Sequence, residues 1–174
     1  QGKFLQTGIN RGNVVTLSIP ASGTAQLGAY RFTGSTRAAL TASQTPSANS
    51  TTDSEDIVIS SNGTSMTIDV SDNDSAMDVA GKINAIADTT LVNAEARTFA
   101  HFFSTNANSE TYTVKINDFT TGSFSISSSD VSDAVAKINL ISDSTGVSAT
   151  ATTTNRVLLQ NSTGEDITIE NQAS

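Results

Sequence analysis

The sequence predicts an α+β fold, mainly β, built as two similar units that each set a short helix on a small antiparallel sheet. Three observations predict it. Ser and Thr together exceed a quarter of the 174 residues and are mixed with Val and Ile, so hydrated turn formers alternate with strand formers. Short runs with period-two alternation are separated by turns bearing Gly and Asn. A helical segment carrying Lys-Ile-Asn occurs twice, 55 residues apart.

Taken in order, residues 1–34 open with a strand around Phe4-Leu5 and a Gly/Asn turn over Gly8–Asn13. A second strand follows, alternating at Val15, Leu17 and Ile19. Pro20 ends that run because it has no N–H to give a ladder. Leu27, Tyr30 and Phe32 are possible anchors in the mixed stretch that follows. Residues 35–55 are polar and irregular and read as a loop or linker. Residues 56–109 form the first unit, whose hairpin joins Ile57-Val58-Ile59 to Met66–Val70 through Asn62-Gly63, a pair that tolerates positive φ. Residues 110–174 form the second unit, β-β-α-β-β-β. Its strands are expected at Tyr112–Ile116, Phe124–Ile126, Val147–Ala151, Arg156–Gln160 and Ile167–Glu170, with a turn near Asp118 to Gly122.

The two helices are copies. Ser75–Asp88 matches Asp130–Asp143, with Lys82-Ile83-Asn84 repeated as Lys137-Ile138-Asn139. Ser75 and Asp130 are candidate N-caps, whose side-chain oxygens can accept from free N–H groups of the first turn. Asp78 and Asp133 stand where a carboxylate faces the positive helix end. Val79, Ile83 and Ile86, and Val131, Val135, Ile138 and Ile141, recur at spacings of three and four and form one apolar stripe. Helices of about three turns do not stand alone in water, so each needs a sheet to cover.

Composition narrows the function. Hydrophobic residues are 36% and aromatics 5%, with no Trp, which favours thin cores in small subdomains over one thick core. A net charge of −8 without any Lys/Arg cluster argues against nucleic acid and anionic membrane surfaces as partners. The absence of Cys excludes disulfides and thiolate metal sites. No apolar run reaches membrane-spanning length. Gln1 stands first, and the expectation is a processed or excised piece with no signal peptide of its own.

No catalytic, cofactor-binding or metal-ligating residue is assigned, and no cofactor is expected. His101 is the single histidine and lacks the partner a nucleophilic triad or a zinc site needs; a packed or surface position beside Phe102 and Phe103 is the plainer reading. Asp69, Asp72, Asp74 and Asp78 lie within ten residues, but the glycine and distant Glu of a calcium loop are missing, so capping and turns are expected of them. The Asn-x-Ser/Thr matches at Asn49, Asn62, Asn73 and Asn161 read as chance in so Ser/Thr-rich a chain.

Residues 135–139 (Val-Ala-Lys-Ile-Asn), Thr145–Thr150, Arg156–Leu159, and Gly164 with Ile167-Thr168-Ile169 resemble the flagellin hook IN motif; Val79–Asn84 carries a weaker version. In that first copy Thr89-Thr90-Leu91-Val92 replaces Thr-Gly-Val, so a different turn is expected there. Leu5–Gly12 resembles the phrase with which flagellins leave their N-terminal helices. The resemblance implies the surface-exposed variable domain of flagellin: a secreted, non-enzymatic structural part of the filament used in motility. Its location would be extracellular, on the bacterial flagellum filament surface. It also implies that the partners are other flagellin subunits in a helical homopolymer, held mostly through terminal regions not in this sequence, with O-linked glycans on exposed Ser and Thr. The alternative is a binding module of a secreted adhesin, filament cap or phage fibre; a glycan-processing enzyme would want a carboxylate pair in an aromatic cleft.

Overall fold

The computed structural model describes the backbone of residues 2–6, 14–18 and 40–41, and residues 48–49, 51–61 and 63–172 in full. The chain divides into two compact units, residues 1–37 and 38–174. In the first, β1 (Gly2–Gln6) and β2 (Val14–Ser18) pair antiparallel, Gly2 opposite Ser18 and Gln6 opposite Val14. The turn between them, Pro20, the anchors Leu27, Tyr30 and Phe32, most of the polar loop and Asn62 lie outside the described residues.

The second unit is a mixed α+β fold, mainly β, with short helices packed on the sheets in roughly two sheet-and-helix units. Within the stretch expected to be a loop, β3 (Leu40–Thr41) adds a short parallel strand. β4 (Ile57–Ser61) and β5 (Thr64–Ile68) make the expected hairpin, with Gly63 at φ +74° in its turn. Then come α1 (Ala76–Asn84), the single turn α2 (Ala87–Thr90) and β6 (Thr98–Phe102). The second copy supplies β7 (Glu110–Ile116), β8 (Phe119–Thr120), β9 (Phe124–Ile126), α3 (Ser132–Asn139), the single turn α4 (Ser142–Thr145), β10 (Val147–Ala151), β11 (Val157–Asn161) and β12 (Ile169–Gln172).

The core belongs to the second copy. Val114 and Ile116 of β7, Phe124 and Ile126 of β9, Ala134 and Ile138 of α3, Val147 and Ala149 of β10, and Val157 and Leu159 of β11 are all buried. The helix α3 packs against both β9 and β10 and so joins two sheets, β10-β11-β6 and the one around β7. Phe102 on β6 meets Phe124 edge-to-face at 6.0 Å, an arrangement that suits the ring quadrupoles. β6 follows the first copy's helix in sequence, yet it pairs antiparallel with β11, Thr98 opposite Asn161 and Phe102 opposite Val157. The sequence left open whether the two copies share a sheet; this pairing joins them.

Several local expectations are corrected. Each helix breaks after Asn84 or Asn139, so Ile86 and Ile141 stand at the start of a new single turn and not on a continuous stripe. The N-cap position of α3 is held by Val131. Asp130, one residue earlier, accepts from the Ser132 N–H at 2.9 Å and its hydroxyl at 2.7 Å. Asp133 reaches across to the Ser125 N–H at 2.8 Å. The turn after β7 is tighter than the sequence suggests: Asn117 and Asp118 both take positive φ, 43° and 72°, and β8 pairs directly back on β7. The last strand begins at Ile169, two residues later than expected.

Candidate functional site

The most distinctive geometry in the molecule is a helix-to-strand junction made twice. In both copies the residue after the helix caps it in the αR region, and a single turn follows. The entry residue of that turn, Ile86 or Ile141, has φ/ψ of −110°/12° or −111°/11°. Its N–H donates to the carbonyl of Ile83 or Ile138, a tightened i→i+3 bond that closes the helix end. The turn ends in a buried threonine. Thr90 Oγ1 donates to the Ile86 carbonyl and Thr145 Oγ1 to the Ile141 carbonyl, each at 3.1 Å. The next residue is left-handed, Leu91 at φ 56° and Gly146 at φ 70°. Leu91 therefore overturns the expectation of a different turn in the first copy. It takes the glycine's conformation at a steric cost of about 1–2 kcal/mol, with its side chain in water.

An asparagine then locks the strand to the helix. Asn84 Oδ1 accepts from the Ala94 N–H at 2.8 Å, and its Nδ2 donates to the Ala94 carbonyl at 3.0 Å. Asn139 does the same to Ala149, at 2.8 and 2.9 Å. Two residues earlier, the N–H of Val92 donates to Thr90 Oγ1 at 3.3 Å and that of Val147 to Thr145 Oγ1 at 3.1 Å. A carboxamide carries one acceptor and one donor side by side, as a strand residue does; Asp has no N–H to give, and Ser or Thr offers a single oxygen. That is why the motif carries Asn at this place. Sequence reasoning saw the repeated Lys-Ile-Asn but missed what its Asn does. The signal was present in the matched Thr six residues on and the matched Val-x-Ala that follows.

The copies differ after this point. In the second, β10 turns back into β11. In the first, residues 92–97 form no strand and have no ladder partner among the described residues, with Val92, Ala94 and Ala96 partly covered and Asn93, Glu95 and Arg97 exposed. The turn after β11 docks here: the Gly164 carbonyl accepts from the Met77 N–H in the first turn of α1 at 3.1 Å. Gly164 is at φ +87° and stands against Ala96 and Met77 so closely that a Cβ would collide with Ala96.

Ser75 makes the expected capping box. Its hydroxyl accepts from the Asp78 N–H at 3.2 Å and its own N–H donates to Asp78 at 2.9 Å. Three of the four clustered carboxylates are engaged individually, and Asp69 accepts from Lys82 through its backbone carbonyl. Asp72 accepts from the Asp53 N–H, Asp74 from the Ser71 N–H and Lys82, and Asp78 from Ser75. The Lys82 hydrogen bond and then the Ser71 N–H hold Asp74 below its ordinary carboxylate value; Lys82 is raised in return. The Ser75 hydroxyl and N–H lower Asp78 likewise.

Among the described residues no three His, Asp or Glu side chains are placed to hold a metal ion, and no helix is long and apolar enough to cross a membrane. His101 is exposed on β6, on the same face as Phe99 and Phe103, and Arg156 lies over the Phe103 ring at 4.4 Å. Asn161 is 3% exposed and its Oδ1 accepts from Thr163, so that sequon is not open to modification in the fold. A cleft of about 450 Å³ between α1 and residues 94–97 is lined by Met77, Asn84, Glu95, Arg97 and Ser162, and Glu95 accepts from Arg97 and not from a hydroxyl.

Fold and site together define a repeated structural module, whose shared chemistry is a clasp on backbone groups and not a reactive centre. A comparison with protein families identifies it: residues 56–111 match the flagellin hook IN motif, a non-catalytic motif whose presence is consistent with a flagellin-family protein and a structural, flagellar role. No curated protein matches the chain. The matched stretch is the copy whose resemblance in sequence is the weaker, yet its asparagine clasps the following segment with the same pair of hydrogen bonds as in the second copy.

Proposed function

We propose that this chain is the surface-exposed variable domain of a bacterial flagellin, a structural part of the outer face of the flagellar filament. The observation that carries this reading is the hook IN motif at residues 56–111, followed at once by a second copy with the same junction. An acidic, Ser/Thr-rich exterior supports it, since a surface repeated along a filament has to stay hydrated and resist random sticking. In this reading like subunits assemble into a helical homopolymer, chiefly through chain segments outside this sequence. Exposed Ser and Thr are available to O-linked glycans, and the location is extracellular.

The test is immunogold electron microscopy of the source cells with antibodies raised against this chain. Continuous label along flagellar filaments is the expected result. Label confined to the filament tip or hook junction replaces the variable-domain reading with a cap or junction protein. Label on the cell wall with bare filaments overturns the flagellar reading in favour of an adhesin.

A further inference from the structure

We propose that Asn139 and Asn84, each with its threonine, keep the outward backbone groups of the following segment, the edge strand β10 in the second copy and residues 92–94 in the first, closed against strand addition by a second copy of this chain. β10 is an edge strand, with β11 on one side only. An edge strand offers alternate N–H and C=O groups to any passing chain, and the residues that point outward share one parity. Here that parity is Val147, Ala149 and, at the far end of the strand, Ala151, and the clasp covers the first two. The Val147 N–H is taken by Thr145 Oγ1 at 3.1 Å, and both backbone groups of Ala149 are taken by the Asn139 amide. In the first copy Thr90 takes the Val92 N–H and Asn84 takes both groups of Ala94.

Asn139 and Asn84 are themselves exposed, so truncating either uncovers the strand groups to solvent and to other molecules. The partner that fits is a second β10, because a two-fold antiparallel pairing about Ala149 satisfies the same outward N–H and C=O on both chains. Val147 and Ala149 bury their side chains in the core, which holds the edge straight and ready to pair. The inference rests on this geometry and stands apart from the flagellar reading.

The experiment compares the whole 174-residue chain with Asn139→Ala, Asn139→Asp and Asn84→Ala by sedimentation over a concentration series, with infrared spectroscopy of the amide band. Asn139→Ala is expected to shift from monomer towards dimer with an added intermolecular sheet signal. Asn139→Asp is expected to stay monomeric, because a carboxylate still accepts from the Ala149 N–H and sets a charge on the edge. A merely stabilising role makes the two substitutions alike. The proposal is overturned if a folded Asn139→Ala or Asn84→Ala stays monomeric, or if Asn139→Asp associates as Asn139→Ala does. Loss of fold in both alanine variants overturns it too, since the amide is then a folding requirement and not an edge cover.

Discussion

Residues 75–94 and 130–149 make the same junction, with an asparagine, a threonine and a left-handed residue in corresponding places. Beneath the second lies a continuous buried core from β7 to β11. In the first copy, up to Ala96, the buried hydrophobics are Ile68, Val70 and Ala80, and Ile57 and Val58 of its hairpin face solvent. The comparison separates two layers of information. The junction is local: the run from Ile83 to Ala94, or from Ile138 to Ala149, supplies every donor and acceptor, so it forms over a thick core or a thin one. The core is not local, because it depends on which strands are recruited, and β6 is recruited by the second copy.

That difference is open to attack from both sides. The largest contrast is expected at the isoleucine of the motif. Ile138→Ala removes a side chain that is 1% exposed and should cost about 3–4 kcal/mol, whereas half-buried Ile83→Ala should cost about half of that. Urea unfolding of both variants checks it, and equal losses would erase the distinction between thick and thin cores. Gly164→Ala comes next, with an expected loss of about 2 kcal/mol, since an alanine there is left-handed and collides with Ala96. Met77 amide exchange in that variant tells whether the second copy's turn has left α1.

A smaller effect of opposite sign is expected at the left-handed residue. Leu91→Gly should stabilise the first copy by up to about 1 kcal/mol, the relief of strain being partly offset by a freer unfolded chain. Gly146→Leu should destabilise the second, so reciprocal substitutions act in opposite directions at matched sites. Urea unfolding of the two variants checks both signs.

The smallest contrast is in pH dependence. Asp74 and Asp78 are lowered by their hydrogen bonds in the folded state, so the stability they contribute is present above the ordinary carboxylate range, near pH 4. It is lost as pH falls through their lowered values. Raised Lys82 acts at the other end, its contribution present below its ordinary value and lost as pH climbs through the raised one. The second copy has Ser129 where Asp74 stands, so Asp74→Asn should flatten the acid limb of α1 exchange and leave that of α3 unchanged.

Much of the fold was readable from pattern. The repeat, the first hairpin, the capping box at Ser75 and the approximate places of five strands of the second copy follow from spacing and turn chemistry. The break at Ile86 and Ile141 was hidden because a stripe of spacing three and four continues across it in sequence. Ala134, fully buried, was passed over since its small side chain carries little weight in an apolar pattern. The Asn–Ala clasp joins residues ten apart, beyond the reach of helix or strand periodicity, and only the repetition of both partners marks it. The pairing of β6 with β11 was out of reach altogether, since an alternating run does not name its partner.

That pairing also sets a timetable. Thr98 finds its ladder partner at Asn161, so a chain made from its N-terminus carries β6 unpaired until residue 161 is available. Contacts this distant along the chain are slow to form. The first copy's hairpin and helix can be in place early, while the strand that ties them to the rest arrives at the sheet among the last.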